Sequence, residues 1–447
     1  MDQAHASSSA PRGVRVRTGE ALRHGATHRM LLGSLLAGLG AYGYQVAGAR
    51  VLGEVAYAPI GVLWTIQYLS LSVVLYSIEA YVTRLTALDV GRAVGLRRAV
   101  ALLAVAITAF AAALAFTAFV FRDALFRGLD GLWAVVGLTV VSYGAFVVVR
   151  GLFAGTDRFG AYGVATAVES LGRLALAVPV LIIFADANAL AWVTPLGGLL
   201  AAGWWWLGNR VRPPTNKPRW TERAPVPTNP FRFVGVTSVA NAASQLILAG
   251  GPLALVALGA TAAEISVFFI TITAARAPLV LAYGGLLSRI MPHLTRLAEG
   301  TGHRRLYRFC AVTFAITLAV ACLSALAGAV VGPWLIALFF GAPFAPPWWL
   351  AAGAIAGVML ATGAITLNQV LIACGAETKM LVPWLGSAAV AAVVVWGLRD
   401  ESVLAVTVAF VIAELVALIG LALSIRRVPQ SVSNPHSRQA GSERELA

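Results

Sequence analysis

About twelve long apolar runs divide this chain, and its basic residues fall almost entirely on every second connection between them. Runs of about twenty apolar residues are the length that crosses a bilayer as helix. They are read over 30–50, 57–83, 99–121, 132–152, 161–184, 188–208, 233–257, 263–288, 307–331, 347–373, 381–398 and 402–425. The two tails and the even-numbered connections hold 27 of the 33 Lys and Arg residues, from Arg12 to Arg444. The odd connections hold only Arg50, Arg122, Arg127 and Arg399, and Arg173 and Arg276 lie inside runs. Positive charge is retained on the cytoplasmic side during insertion, so both termini are expected in the cytoplasm. The pattern implies an all-α polytopic membrane protein of the cytoplasmic (inner) cell membrane.

Composition excludes other classes. A hydrophobic share of 59%, with a mean hydropathy of +0.82, exceeds the roughly 45–50% apolar content of soluble domains. The net charge of +14 is explained by cytoplasmic loops and their affinity for anionic headgroups, so membrane lipids are expected partners and nucleic acid is not. Cys310 and Cys322 share one run, twelve residues apart, about 18 Å along a helix and too far to bridge. With Cys374 they are read as packing residues. No metal site and no cofactor are implied.

The long polar stretch VRPPTNKPRWTERAPVPTNP separates six runs from six. An even number places both halves the same way up, as a parallel repeat requires. Leu52-Gly53 and Leu258-Gly259 occupy matching places in the two halves, as do Gly155-Thr156-Asp157-Arg158 and Gly375-Ala376-Glu377-Thr378-Lys379. The expected organisation is a disordered basic tail over 1–28, an N-lobe over 29–208, a cytoplasmic linker over 209–231, a C-lobe over 232–426 and a disordered tail over 427–447. The run after the tail is longer than a signal-peptide core, so the first helix is expected to stay uncleaved.

Ala49-Arg50-Val51-Leu52-Gly53, followed by Tyr57 and a second helix, resembles the first hairpin of polysaccharide and lipid-linked oligosaccharide flippases. Arg150 to Gly155, Arg158-Phe159, Tyr162, Glu169 and Arg173 resemble their fourth and fifth helices, and Ser288 to Leu297 the matching segment of the second lobe. The chain is similar over most of 30–425 to the Wzx-like branch of the multidrug/oligosaccharidyl-lipid/polysaccharide exporter superfamily. That resemblance implies two six-helix lobes around a central cavity, alternating access, and movement of a polyprenyl-linked sugar across the membrane. The sodium-binding carboxylate in the first helix of some drug-exporting relatives has no match; Tyr42 and Gln45 stand in that run instead.

Ionisable groups inside spans are costly and usually face a bundle interior or wet cavity. Counted from the cytoplasmic bases at about 1.5 Å per residue, Tyr42, Arg173, Gln245, Arg276 and Glu414 fall in one layer roughly 18–23 Å deep. Two arginines at that depth suit a diphosphate, which guanidinium holds through paired N–H donors. Tyr42, Gln45, Asn241 and Gln245 are candidate ligands for sugar hydroxyls, although for the two helix-borne amides Asn241 and Gln245 packing is the plainer explanation. Glu169 and Arg173, four apart on one helix, are equally suited to neutralising each other. Arg276 and Glu414 are a second possible pair, and Glu79, Glu169 and Glu414 are candidates for coupling. The expected function is a flippase carrying a polyprenyl-(di)phosphate-linked glycan to the outer leaflet, with a glycan polymerase or other envelope-synthesis proteins as candidate partners. The alternative is a MATE-like exporter of small amphiphiles. A membrane glycan polymerase or ligase ranks lower, because the short outward connections cannot assemble a nucleophile and base.

Overall fold

A computed structural model describes residues 12–88, 93–209, 230–277, 302–374 and 376–426. Most of the linker read over 209–231, the tail beyond 426 and the end of the span over 263–288 lie outside the described residues. The described backbone is helical throughout its spans, as hydrocarbon demands of a chain whose N–H and C=O groups can find no water. Among the described residues, nine helical segments are long and apolar enough to cross a membrane. The protein is an all-α membrane protein of about twelve spans in two lobes.

In chain order the helices are α1 (Arg12–Ala56), α2 (Ala58–Leu69), a π-helical segment (Ser70–Leu75), α3 (Tyr76–Leu88), α4 (Ala93–Val120), α5 (Arg122–Phe126), α6 (Leu132–Gly155), α7 (Phe159–Phe184) and α8 (Ala187–Asn209). The second half holds α9 (Pro230–Ala249), α10 (Gly251–Ala257), α11 (262–277), α12 (Gly302–Phe340), α13 (Trp348–Ala373), α14 (Leu381–Gly397) and α15 (Ser402–Arg426). The halves pack alike. In the first, α4 lies on α6, α6 on α8, α7 on α8 and α1 on α7. In the second, α12 lies on α13, α13 on α15, α14 on α15, and α9 touches α14. The two Leu-Gly steps share a positive backbone angle, with Gly53 at φ 72° and Gly259 at φ 73°.

Two boundaries and two span interiors differ from the sequence reading. Helix α1 runs back to Arg12, into the tail read as disordered, because no proline after Pro11 stops it. Helix α12 continues past Gly332-Pro333 to Phe340, where a span ending at 331 was expected. A Cβ on Gly332 would stand 2.8 Å from the Ala351 side chain, and this close packing on α13 compensates for the hydrogen bond that Pro333 removes. The span over 233–257 is broken at Gly250, because Pro252 at the start of α10 cannot donate to the preceding turn. The second span contains the π-helical turn. There the Ser70 and Ser72 hydroxyls donate to the carbonyls of Ile66 and Tyr68, each at 2.7 Å, and Ser77 donates to Val73 at 3.1 Å. These bonds satisfy carbonyls where the ladder widens. Of the cysteines, Cys310 and Cys374 are buried in the second lobe, whereas Cys322 is exposed and packs no core.

Helices α1 and α7 approach backbone to backbone. A Cβ on Gly33 would lie 2.3 Å from the Gly163 carbonyl oxygen, and one on Gly163 2.7 Å from that of Arg29. Small residues at such crossings let helices gain dispersion contact where no hydrophobic force drives them together. Gly163→Val should therefore destabilise the protein by about 3 kcal/mol through overpacking, read as a lower melting temperature in detergent. Gly203→Val, where nothing lies within 4 Å of the added Cβ, should leave it unchanged.

The buried core has three parts. One joins both lobes at the end carrying the odd-numbered connections: Tyr57, Leu63, Phe126 and Leu132 meet Phe268, Phe269, Phe340 and Phe344. The other two have buried members from a single lobe each, around Val82 and Phe153 in the first and around Leu367 and Leu421 in the second. The lobes are thus sealed together at one end.

Candidate functional site

Inside that seal lies a cavity of about 160 Å³ between the lobes. Helix α1 lines it with Gly38, Ala41, Tyr42 and Gln45, spaced to share one helical face. Helix α2 adds Trp64, Thr65 and Tyr68, and α11 adds Phe269, Thr273 and Arg276. The Tyr42 hydroxyl donates to the Thr273 carbonyl oxygen at 2.8 Å across the lobe boundary. The Tyr68 hydroxyl donates to Gln245 Oε1 at 3.3 Å, and the Arg276 guanidinium stands 5.1 Å from the Tyr68 ring centre. Tyr57 donates to Gln45 Oε1, which fixes the amide with Nε2 turned away. Gln45 Nε2 and Arg276 Nε are buried and meet no acceptor among the described residues.

Four predicted residues thus gather here: Tyr42, Gln45 and Arg276 in the lining, and Gln245 through Tyr68. Asn241 lies one turn before Gln245 on α9 and is not in the lining; its carbonyl accepts the Ser244 hydroxyl. Arg173 does not face the cavity either. Its guanidinium lies 3.2 Å from Glu169, with 2% and 7% of the two side chains exposed, and it also donates to Tyr143, which donates to Glu169. Arg173 reaches the cavity wall only by stacking on Trp64, 4.5 Å from its ring centre. The local pairing of Glu169 with Arg173 therefore neutralises both charges, while Arg173 Nε, like Arg276 Nε, meets no acceptor among the described residues. Gly197 leaves room for it, since a Cβ there would meet Glu169 Oε1 at 3.1 Å.

Glu79 is also paired. Arg150 lies 3.1 Å from it, and Tyr162 donates to it at 3.0 Å. Arg150, counted in the sequence as a loop cation, is a buried residue of α6 packed on the rings of Tyr76, Phe146 and Tyr162. Glu414 is fully buried on α15, and neither carboxylate oxygen has a hydrogen-bond partner among the described residues. No ion pair joins it to Arg276, so the suggested Arg276–Glu414 pair is not made.

Sequence reasoning missed Trp64, Thr65, Tyr68 and Thr273. Tyr68 stands sixteen residues before Arg84, about 24 Å along a helix, so the depth count would have placed it near the same layer. Chemically the site offers a guanidinium, an amide and hydroxyls, and no carboxylate among its lining residues. Guanidinium and amide N–H groups donate to anions, and hydroxyls both donate and accept, so the set is chemically able to hold an anion or a hydroxyl-rich group.

No family model matches the chain. An uncharacterized protein of Mycobacterium tuberculosis is 25% identical over 251 residues, covering 54% of this chain and 56% of its own length. A second uncharacterized protein of that organism is 27% identical over 256 residues with the same coverage. The chain spans about half the length of the curated relatives it matches. Among solved structures, the lipid II flippase MurJ in an inward closed conformation superposes with a TM-score of 0.63 at 10% identity, over 90% of this chain and 88% of that one. A multidrug resistance MATE transporter of the MOP superfamily, inward-facing, gives 0.59 at 15% identity over 90% and 98%. The Vibrio cholerae MATE transporter VcmN, as a mutant, gives 0.56 at 16% identity over 93% and 98%. Across nearly its whole length, the chain has the fold of the MOP-superfamily membrane transporters.

Proposed function

We propose that this protein flips a polyprenyl-(di)phosphate-linked glycan from the cytoplasmic to the outer leaflet by alternating access, for cell-envelope polysaccharide synthesis. The observation that carries the reading is Arg276, set in the cavity between the lobes with no carboxylate partner among the described residues, whereas buried Arg150 and Arg173 each have one. A cation in that position needs a compensating anion, and a lipid-linked phosphate supplies one. The cavity is below the roughly 300–1,000 Å³ of usual ligand pockets. It admits a phosphate-sized group, and the glycan and prenyl chain enter as the lobes part.

Export of small amphiphiles is the second reading, favoured by the likeness to MATE folds and by the aromatic wall of Trp64, Tyr68 and Phe269. A cationic cargo, however, would meet an arginine and, among the described lining residues, no acid. Proteoliposomes loaded with a fluorescent polyprenyl-diphosphate sugar decide between them. Protein-dependent movement of the sugar between leaflets is expected; extrusion of a lipophilic cation without such movement would establish the exporter instead. The orientation is tested separately with Thr215→Cys, which should stay unlabelled by an impermeant thiol reagent applied to intact cells.

A further inference from the structure

Of the four arginines on odd-numbered connections, two act locally. Arg122 lies 3.8 Å from its neighbour Asp123 and over the Phe119 ring, and Arg399 lies over Trp396. The other two cross from one lobe to the other. Near the end of α1, Arg50 Nε donates to the Phe339 carbonyl oxygen at 2.7 Å, and a terminal nitrogen donates to Leu338. Those carbonyls belong to the last turn of α12, where intrahelical donors run out. For Phe339 the donor four residues on would be Pro343, which has no N–H. The end of a long helix also carries partial negative charge, which favours a guanidinium there.

Arg127, between α5 and α6, donates to the carbonyl of Ala260 in the turn joining α10 to α11. Its backbone is left-handed, at φ 51°, a conformation a side-chain-bearing residue holds only at a cost. In the core that joins the lobes, Tyr57 packs edge-on against Phe344, with ring centres 6.1 Å apart, and on Phe269 at 6.3 Å.

We infer that Arg50 and Arg127 are latches that hold the lobes shut at this end, and that each transport cycle must release them. This rests on the transporter reading above, and on the charge-derived orientation the latched end is the outward gate. The choice of acceptor matters. Backbone carbonyls bind a guanidinium firmly, yet release leaves no orphaned carboxylate, and both partners regain water at the membrane surface. The same role explains why two arginines occupy connections from which positive charge is otherwise nearly absent.

Accessibility of the cavity tests the inference without any substrate. Cys310, Cys322 and Cys374 are replaced by serine, Thr65→Cys places a thiol in the cavity lining, and a C-terminal tag reports the orientation of each proteoliposome. An impermeant maleimide is then applied from the latched side. Arg50→Ala and Arg127→Ala should each raise the labelling rate about tenfold, and the double variant further. Arg122→Ala and Arg399→Ala should leave it unchanged. Labelling of the double variant at the parent rate would overturn the inference. Should the alanine variants fail to insert, Arg127→Cys with Ala260→Cys provides a second measurement. Oxidative cross-linking is expected to block Thr65→Cys labelling from this side and reduction to restore it; unaltered labelling of the cross-linked protein would also overturn the inference. Faster labelling, together with no glycan-lipid movement by the protein that retains Thr65, Arg50 and Arg127, would leave the latches standing and the proposed substrate refuted.

Discussion

Arg276→Gln should reduce glycan-lipid translocation by a hundredfold or more while the protein still inserts and runs as a folded species on size exclusion. The estimate follows from losing two charge-assisted hydrogen bonds of about 1.5–3 kcal/mol each. Arg276 is suited to this loss of function without loss of fold. It makes no ion pair among the described residues, and its principal contact is a stacked ring, Tyr68, which a glutamine amide can also cover. Arg276→Lys should recover only part, because an ammonium lacks the planar fork that matches phosphate oxygens. Adding Glu414→Gln to Arg276→Gln should not restore transport, since the carboxyl of Glu414 is buried elsewhere and makes no bridge to the arginine. Parent-level flipping by Arg276→Gln would remove the anion site from consideration.

Arg173→Met should have the opposite signature. Removing one member of a buried pair leaves the other charged and unsolvated, at a cost of about 3–5 kcal/mol. Glu169 would keep the hydroxyls of Tyr143 and Ser170 but lose the one cation that pairs with it among the described residues. The melting temperature should fall steeply, and the companion change Glu169→Gln should recover part of it. Transport per folded molecule should stay near the parent value. A variant with unchanged melting temperature but no transport would instead mean that Arg173 contacts the cargo.

What the sequence disclosed and what it hid follow from one distinction. Polar groups in apolar runs are rare enough to count, so the sequence shows Tyr42, Gln245 and Arg276 in one layer with Arg173 and Glu414, and Gln45 as a candidate ligand beside it. Which of them face each other depends on helix rotation, and the sequence carries that only weakly when the lipid-facing side is also apolar. Arg173 and Arg276 share one depth in the sequence and differ there only in the acid four residues from Arg173, yet one is stacked and paired inside its lobe and the other stands at the boundary. Aromatic residues escaped for a related reason. Trp64 and Tyr68 are unremarkable in a hydrophobic run until the second lobe supplies Arg276 and Gln245 opposite them. Arg150 was misjudged because the three rings that bury it come from three different helical segments. Proline misled in both directions: Pro333 did not end its helix, and Pro252 broke one read as continuous.

The π-helical turn at Ser70–Leu75 sets a rotational phase. A π-bulge accommodates about one residue more than the α-helix it interrupts, and one residue advances an α-helix by about 100°. Tyr68, before the turn, addresses Arg276 and Gln245 of the opposite lobe, whereas Tyr76 and Glu79, after it, address Arg150 of their own. A helical wheel drawn through the whole span as unbroken α-helix would set one of these groups more than a quarter turn from its observed bearing. The second span is in effect two wheels on one axle, indexed separately. A chain one residue shorter between Ser70 and Leu75 could keep the cavity in register or the Glu79–Arg150 pair, but not both.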